Sequence, residues 1–488
     1  MGSSDALHAL STFRRSFYEC LHRRIDALFE LTDALLTADA APSPVHLSLQ
    51  APHRRGWGSL YAALRRGRID AEALRGLIAS HPLAGSGATP VFAVDVSVWD
   101  RCDAECSPER GYYYHPSRHS AGQPIVAGWA YQFIAELNFV REGWTALVDV
   151  RRVRPGQDAD EVAAEQVKAF LRLWPEEERV APLFVFDAGY DPVKLQQGLE
   201  GSQCRILVRL RAGRRFYGDP SLSDPPAHVG RPRRHGPKMK CADPSSWPEP
   251  SAEHHCEDAG YGSVRVRAWA KLHPKVQNHE GRGSRGPLPI VVGTLILVEV
   301  ERLPRGESRR EPRVLWLWWH GPEGTTPDLD LIWRSYVRRF DLEHTFRFLK
   351  QSMGDGRRRG FATPSRPTGG VGWWWPLSPN PGWHARTSRT CGCRGSAATM
   401  QGALRRSGSI APFRRFWRTW ARLPSRRNPA VGRLGGPKVG SPAGPSATLP
   451  SRGAPEPTKT VIGMGFTMGF ISIAKPLVVK TQAKRLRQ

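Results

Sequence analysis

The sequence predicts a mixed α/β core with a β-rich insertion, an α-helical N-terminal region and an irregular, basic C-terminal tail. Within residues 89–211, strand-like apolar runs and helical periodicity alternate in the order βββαβαβ, which is typical of a mixed α/β core. Within residues 212–326, alternating and β-branched apolar runs recur. Near residue 354, where the tail begins, the chain becomes more basic and richer in Gly and Pro.

Positive charge is concentrated at the C-terminal end of the chain. The 488 residues carry 71 Lys and Arg against 45 Asp and Glu, a formal net charge of +26. Residues 351–488 hold 24 of the basic residues and 2 of the acidic ones, so the part before them is close to neutral. This basic excess favours a polyanionic partner, and nucleic acid is the first candidate.

The cysteines and the apolar runs predict a cytoplasmic protein without a membrane partner. The 8 cysteines are irregularly spaced and too few for a disulfide framework. No apolar signal-peptide core follows Arg14 and Arg15. The longest weakly polar run, residues 461–474, falls short of the roughly 20 residues that span a bilayer. Association with the nucleoid is expected when the protein binds DNA.

Residues 1–88 are predicted to form a small helical region. Leucines recur at helical spacing within residues 5–38 and 59–80, and a Pro- and His-rich connector separates the two stretches. This region is either a packing domain or a bundle that binds DNA ends. In the second case its basic residues would contact DNA: Arg54, Arg55, Arg65, Arg66 and Arg68.

Residues 89–211 are predicted to form the first part of the core. The expected elements are strands at 90–99, 124–137 and 144–150, a helix at 158–174, a strand at 180–187, a helix at 191–200 and a strand at 204–210. Asp95 lies inside the first of these strands, and Asp187 ends the fourth. A carboxylate in an apolar strand is costly unless it has a partner. The alternatives are that Asp187 caps the next helix and that Asp95 is a satisfied buried residue.

Residues 212–326 are predicted to contain a mobile loop and then strands. The stretch 212–260 is polar and rich in Pro and Gly, and strands are expected at 263–271, 289–302 and 313–320. Trp316, Trp318 and Trp319 are candidates for base stacking, but core packing is the better explanation.

Residues 327–353 are predicted to form one helix that begins after Pro327-Asp328. Four polar residues share an arc of about 60° on this helix, and apolar residues occupy another face. The polar row consists of Tyr336, Arg339, Glu343 and Lys350, and the apolar face of Leu331, Leu342, Phe346 and Leu349. Such a row suits the presentation of a carboxylate and cations to phosphate. The alternative is an ordinary amphipathic helix with a solvated face.

Asp95, Asp187 and Glu343 can converge at one end of a sheet. Three carboxylates in such an arrangement hold hard divalent ions, with Mg²⁺ as the default. Two such ions support the cleavage and transfer of phosphodiesters.

These residues resemble those of DDE-type insertion-sequence transposases with an RNase H-like core. Tyr336, Arg339, Glu343 and Lys350 match the Tyr-x2-Arg-x3-Glu-x6-Lys signature of one branch of that family. Asp95 in Val-Asp-Val-Ser and Asp187 in Phe-Asp-Ala-Gly-Tyr match its first and second carboxylates. The resemblance covers residues 90–350 and implies an RNase H-like fold with a β-rich insertion before the third carboxylate.

The resemblance also implies roles for individual residues. Asp95, Asp187 and Glu343 would bind two Mg²⁺ ions, with Mn²⁺ as a substitute. Transposon-end phosphates would be contacted by Tyr336, Arg339 and Lys350, and DNA near the site by Arg118 and His119. The basic run at 231–240 either neutralises backbone phosphate or forms a solvated loop; its candidate DNA-binding residues are Arg233, Arg234 and Lys238.

The function expected from the resemblance is DNA transposition. The enzyme would hydrolyse a phosphodiester at the element's end, and the freed 3′-hydroxyl would attack target DNA. The partners would be double-stranded transposon ends and target, held by a homodimer. Two alternatives remain, namely a structure-specific nuclease on the same core and a DNA-binding remnant without catalysis.

Two groups of Cys and His residues are weak candidates for zinc. The first has the spacing C-x3-C-x8-H-x3-H, which is shorter in the middle than the roughly 12 residues of zinc fingers. It consists of Cys102, Cys106, His115 and His119. The second is weaker still and consists of Cys241, His254, His255 and Cys256.

Residues 354–488 depart from the family pattern. They show no sustained hydrophobic period and are rich in Arg, Gly, Pro and Ser. We hypothesise that these residues are translated in a shifted frame of a GC-rich gene. The coding DNA tests this hypothesis, because a shifted frame is excluded if neither of the other two reading frames continues the amphipathic helix. The alternative is a basic arm that binds DNA nonspecifically.

Overall fold

The computed structural model describes residues 3–38, 43–81, 89–100, 109–114, 125–139, 145–174, 180–222, 234–276, 289–304 and 314–352. These residues divide into two compact units, one ending at Asp70 and the other beginning at Ala71. Outside the described residues lie the tail and part of the predicted DNA-contacting and zinc sets, namely Arg118, His119, Arg233, Cys102, Cys106 and His115. Among the described residues, no helix combines the length and apolar character needed to cross a membrane.

The first unit is helical, as predicted, but more finely divided. It contains α1 (Ser3–Glu19), β1 (Leu21–Arg23), α2 (Ile25–Thr37), α3 (Pro44–Ser48), α4 (Trp57–Arg66) and β2 (Arg68–Ile69). The stretch 5–38 is not one helix, because β1 pairs with β2 and Arg24 adopts a left-handed conformation at φ 58°. The five arginines considered for DNA-end binding are all exposed, and their role stays a prediction.

The core of the second unit has the predicted order of strands and helices. It contains α5 (Ala71–Ala79), β3 (Val91–Asp100), β4 (Gly111–Tyr114), β5 (Ile125–Leu137), β6 (Thr145–Val153), α6 (Ala159–Leu171), β7 (Leu183–Phe186), α7 (Pro192–Gly198) and β8 (Arg205–Leu210). Strands β3, β5 and β6 are antiparallel neighbours, whereas β7 runs parallel to β3 and β8 parallel to β7. This is an RNase H-like sheet, which confirms the predicted fold class.

Strand β4 was not predicted. It is four residues long, and the side chains of Tyr112 and Tyr114 are exposed, so it has no apolar run to identify it. Its position depends on antiparallel pairing with the first residues of β5.

The insertion continues the core sheet rather than forming a separate layer. It contains β9 (Arg215–Tyr217), β10 (Lys238–Lys240), β11 (Ala252–Asp258), β12 (Gly262–Pro274), β13 (Gly293–Val300), β14 (Leu315–His320) and short 3-10 helices at Pro220–Leu222 and Pro244–Ser246. Strand β14 pairs antiparallel with β8, so that twelve strands of the described residues form one sheet. The prediction of a mobile loop over 212–260 was therefore wrong for β9, β10 and β11. Strands β9 and β10 pair with each other, and β9 and β11 each pair with β12.

The tryptophans of β14 belong to the core of the insertion. Trp316, Trp318 and Trp319 are buried, and the ring of Trp318 stacks on Phe216 at 5.2 Å between centroids. This confirms core packing as their role.

The helix predicted at 327–353 is divided into α8 (Leu329–Arg339) and α9 (Asp341–Ser352). Helix α8 begins after Asp328, as predicted, and the side chain of Asp328 caps it by accepting hydrogen bonds from Asp330 N and Leu331 N. The division falls at Phe340, where the N–H groups of Phe340 and Glu343 donate to carbonyls three residues earlier. These tighter bonds turn the chain between the two halves of the predicted polar row.

Asp160 and Asp158 lie at the start of α6, and the pKa values of their carboxyl groups are shifted in opposite directions. Asp160 also connects α6 to α7. Asp160 Oδ1 accepts a hydrogen bond from Asp191 N at 2.9 Å, where Asp191 caps α7. Burial raises the pKa of Asp160 to about 6. Because the folded state then prefers the protonated form, stability rises as the pH falls through 6 towards 3.8.

Replacing Asp160 by Asn keeps the acceptor and removes the buried charge. We expect the melting temperature at pH 8 to rise by roughly 2–4 °C, the shift that about 1 kcal/mol produces in a domain of this size. Asp158 is the matched control, because its hydrogen bond with Lys194 lowers its pKa, and Asp158→Asn should reduce stability at pH 8. Calorimetry at pH 5 and 8 measures both; a lower melting temperature for D160N at pH 8 would contradict the assignment.

Candidate active site

The first predicted carboxylate, Asp95, lies in the middle of the central strand. Residues 91–94 of β3 are fully buried, and the side chain of Asp95 is 15% exposed. Its Oδ1 accepts a hydrogen bond from Val96 N at 2.8 Å. Burial raises the pKa of Asp95 to about 6; Arg339 opposes this rise, and the nearby charges of Glu343 and Asp187 add to it. Burial therefore outweighs the compensation that Arg339 gives this carboxylate.

The second predicted carboxylate, Asp187, lies beside the first because of strand register. Val94 of β3 is the parallel partner of Phe186 in β7, so the residues that follow them are neighbours across the sheet. Although burial acts to raise it, the pKa of Asp187 is lowered, chiefly by the charge of Arg339. The sheet topology thus brings together two carboxylates that are far apart in the sequence.

Arg339 joins these two carboxylates. Its Nη1 lies 2.7 Å from Asp95 Oδ2, and its Nη2 lies 3.4 Å from Asp187 Oδ1. The Arg339 side chain is 7% exposed. A buried guanidinium fork with one arm on each carboxylate fixes the distance between them. Its predicted contact with DNA phosphate is untested, and in this structure it faces the carboxylates.

Asp187 has two further partners. The hydroxyl of Tyr336, on α8 with Arg339, donates to Asp187 Oδ1 at 3.1 Å. Arg209 Nη1, on β8, lies 3.6 Å from the same oxygen. The sequence analysis did not single out Arg209; the available signal was an arginine within the apolar stretch that forms β8.

Glu343 and Lys350 approach the site from α9. Glu343 is half-buried, and its charge acts on Asp95. Lys350 Nζ donates to the carbonyl of Val98 at 2.8 Å and lies 4.7 Å from the centroid of the Trp99 ring. Lys350 therefore connects α9 to the strand that carries Asp95.

The carboxylates suit a divalent cation, although Arg339 stands between two of them. Among the residues that the structure describes, the ligand atoms of Asp95, Asp187 and Glu343 do not all lie within 4.8 Å of one another. However, Asp95 and Asp187 already share the guanidinium of Arg339, so that one positively charged group reaches both carboxylates. Paired carboxylate oxygens are the donors that hard divalent ions prefer.

The other described candidates for DNA binding lie elsewhere. Lys238 is exposed on β10, and Arg234 is half-buried in the segment before it. In the strand order, β9, β12, β13, β14 and β8 separate β10 from β7. The structure therefore does not place these two residues beside the carboxylates, and their role stays a prediction.

Comparison with known proteins identifies the family of the chain. The family model described as DDE superfamily endonuclease matches residues 16–275, which include Asp95 and Asp187 and end before Glu343. Comparison with curated proteins gave no match. The cryo-EM structure of a piggyBac transposase synaptic complex with hairpin DNA matches at 10% identity and a TM-score of 0.29, over 67% of this chain and 59% of that one. The family model covers more than half of the chain, and the chain therefore belongs to the DDE superfamily endonucleases.

Proposed function

We propose that this protein is a DNA transposase that cleaves the ends of a mobile element and joins the freed 3′-hydroxyl to target DNA. The observation that carries the proposal is the meeting of Asp95 and Asp187 on one guanidinium, with Glu343 close enough to affect Asp95. Membership of the DDE superfamily endonucleases supports phosphodiester cleavage as the reaction class.

In this proposal the three carboxylates hold the metal. Asp95, Asp187 and Glu343 would bind two Mg²⁺ ions, for which Mn²⁺ substitutes. When bound, such ions activate the attacking hydroxyl and stabilise the leaving oxygen of a phosphodiester. Tyr336 orients the carboxylate of Asp187 through its hydrogen bond. Arg339 keeps Asp95 and Asp187 together and compensates their charge while metal is absent.

The proposed partners are double-stranded transposon ends and target DNA, held by two copies of the chain. Exposed arginines in the first unit and exposed Lys238 in the insertion would contact the backbone phosphates. Light scattering of the protein with a short duplex of the element's end would test the dimer. A complex that contains one chain at saturating DNA would exclude it.

The experiment that tests the function uses labelled duplexes made from the DNA that flanks the gene on either side. With Mg²⁺ or Mn²⁺ we expect a nick at the element's end and, with a target plasmid, a covalently joined product. Chelation by EDTA should abolish both, because the carboxylates alone do not activate the attacking hydroxyl.

The alternatives give other products in the same assay. A structure-specific nuclease would cleave without forming the joined product. A DNA-binding remnant would shift the duplex in a gel but leave it uncut with either metal. Either result would exclude transposition by this chain.

A further inference from the structure

A second group of metal-ligating side chains lies where the insertion meets α8. It comprises His254 and Cys256 of β11 and Asp330 in the first turn of α8, and one ligand atom from each lies within 4.8 Å of the others. His254 Nε2 is 3.4 Å from Asp330 Oδ1. Within the described residues, Cys241 and His255, which the sequence pattern grouped with the first two, are not part of this cluster.

The strand places the two β11 ligands on one face. Side chains of a strand alternate, and along β11 His254 and Cys256 are half-buried, whereas His255 between them is exposed. His255 Nε2 instead pairs with Glu253 at 3.2 Å. His255 is therefore a natural control, because it has the same chemistry on the opposite face.

The imidazole of His254 is loosely paired with Asp330, whose Oδ1 lies 3.4 Å from Nε2, beyond the usual hydrogen-bond distance. Its Nε2 is shielded from solvent and makes no hydrogen bond with the described residues. A buried ring nitrogen without a hydrogen bond is costly, and each such group in a native structure calls for an explanation. A metal ion bound to this nitrogen would provide one.

We propose that His254, Cys256 and Asp330 form a Zn²⁺ site separate from the catalytic carboxylates. Imidazole nitrogen, thiolate sulfur and carboxylate oxygen are the three donor types that zinc uses in proteins. Mg²⁺ prefers oxygen donors and is disfavoured by the thiolate. Three protein ligands leave the fourth position to water, and binding releases the thiol proton of Cys256 to solvent.

Charged neighbours of the site accommodate the ion. Arg334 Nε lies 2.9 Å from both oxygens of Asp330, and its Nη1 lies 3.6 Å from Asp258 Oδ2. Trp333 Nε1 donates to Asp330 Oδ1 at 3.1 Å. When one Asp330 oxygen binds the ion, Arg334 keeps the other oxygen and its pair with Asp258.

The site would act as a structural link. It joins β11 of the insertion to the first turn of α8, and the same helix carries Tyr336 and Arg339 towards its other end. Zinc at this position would therefore fix the helix that contacts both catalytic aspartates, without touching DNA or the reacting phosphate.

The test uses the full-length protein, freed of metal with a chelator and titrated with Co²⁺ and then with Zn²⁺. We expect a thiolate-to-cobalt charge-transfer absorption that is lost in Cys256→Ser. The Zn²⁺ dissociation constant should rise roughly tenfold or more in His254→Ala and Asp330→Asn, since even outer-shell partners of a metal contribute that much. His255→Ala should match the wild type.

Comparison between variants separates this site from the other cysteines of the chain. The wild-type spectrum minus that of C256S reports this thiolate alone. Equal spectra and equal Zn²⁺ content in the wild type and C256S would overturn the proposal. Equal losses of Zn²⁺ affinity in H254A and H255A would also overturn it. Should C256S fail to fold by circular dichroism, H254A against H255A decides by Zn²⁺ affinity. Mg²⁺ at the same concentrations should not displace Co²⁺, and displacement would also count against zinc.

Discussion

Replacing Glu343 by Gln is expected to lower the rate of DNA-end cleavage by about 10³-fold or more while the protein stays folded. Gln has the shape of Glu but not its charge, so it removes one anionic ligand from the proposed metal site. The loss corresponds to about 4 kcal/mol of transition-state stabilisation, in keeping with the several kcal/mol that a metal supplies. Cleavage of a labelled transposon end under single-turnover conditions measures it.

The control for this substitution is Glu165→Gln, an exposed position on α6. It changes the net charge by the same amount away from the site and should leave cleavage unchanged. Far-ultraviolet circular dichroism and the melting temperature establish that both variants are folded. An E343Q protein that cleaves at the wild-type rate would remove Glu343 from the catalytic set, and with it the meaning of the family signature in this chain.

The proposed catalytic carboxylates could be predicted from the sequence because their positions violate a local preference. Asp95 interrupts an apolar strand and Asp187 ends another, and a carboxylate in such a place needs compensation. The order βββαβαβ along the chain was also predictable, because hydrophobic periodicity separates the longer strands from the helices. The register of Val94 with Phe186 then brings the two residues side by side.

The partners of the carboxylates could not be predicted in the same way. Periodicity shows which residues share a helix face, but not what that face contacts. Arg339 was expected to meet phosphate, and in the structure it lies between Asp95 and Asp187. Arg209 was missed because an arginine near the end of a strand looks solvent-facing until the neighbouring parallel strand is placed.

The short strands of the insertion could not be predicted from local sequence either. Strands β9 and β10 are three residues long and lie among Pro and Gly, so their own sequence carries little signal. They pair with each other, and β9 also pairs with the end of β12, which lies distant in sequence. Pairing of this kind depends on the whole sheet and outweighs local propensity. Asp330 of the proposed zinc site was missed because the placement of α8 beside β11 is also a tertiary contact that local sequence does not reveal.

Replacing Arg339 by Ala is expected to destabilise the metal-free protein strongly. The side chain is 7% exposed and compensates two carboxylates, so its removal leaves buried negative charge unpaired. The free energy of unfolding in EDTA should fall by about 3–5 kcal/mol. The free energy of unfolding of Arg339→Lys should lie between those of the wild type and Arg339→Ala, because an ammonium group cannot place one donor on each carboxylate as the guanidinium fork does. Denaturant unfolding measures these differences, with Arg347→Ala, exposed on α9, as the control expected within about 0.5 kcal/mol of the wild type.

The response of the same variants to Mg²⁺ separates two roles for Arg339. If the guanidinium occupies part of the place of the metal, Mg²⁺ should raise the melting temperature of R339A more than that of the wild type, because the ion then compensates charge that nothing else does. If Arg339 instead serves mainly to contact DNA phosphate, R339A should keep wild-type stability in EDTA and lose affinity for all duplexes, with the salt dependence of binding reduced by about one phosphate contact. The buried fork between Asp95 and Asp187 favours the first result, since a side chain committed to two carboxylates has little surface left for a phosphate.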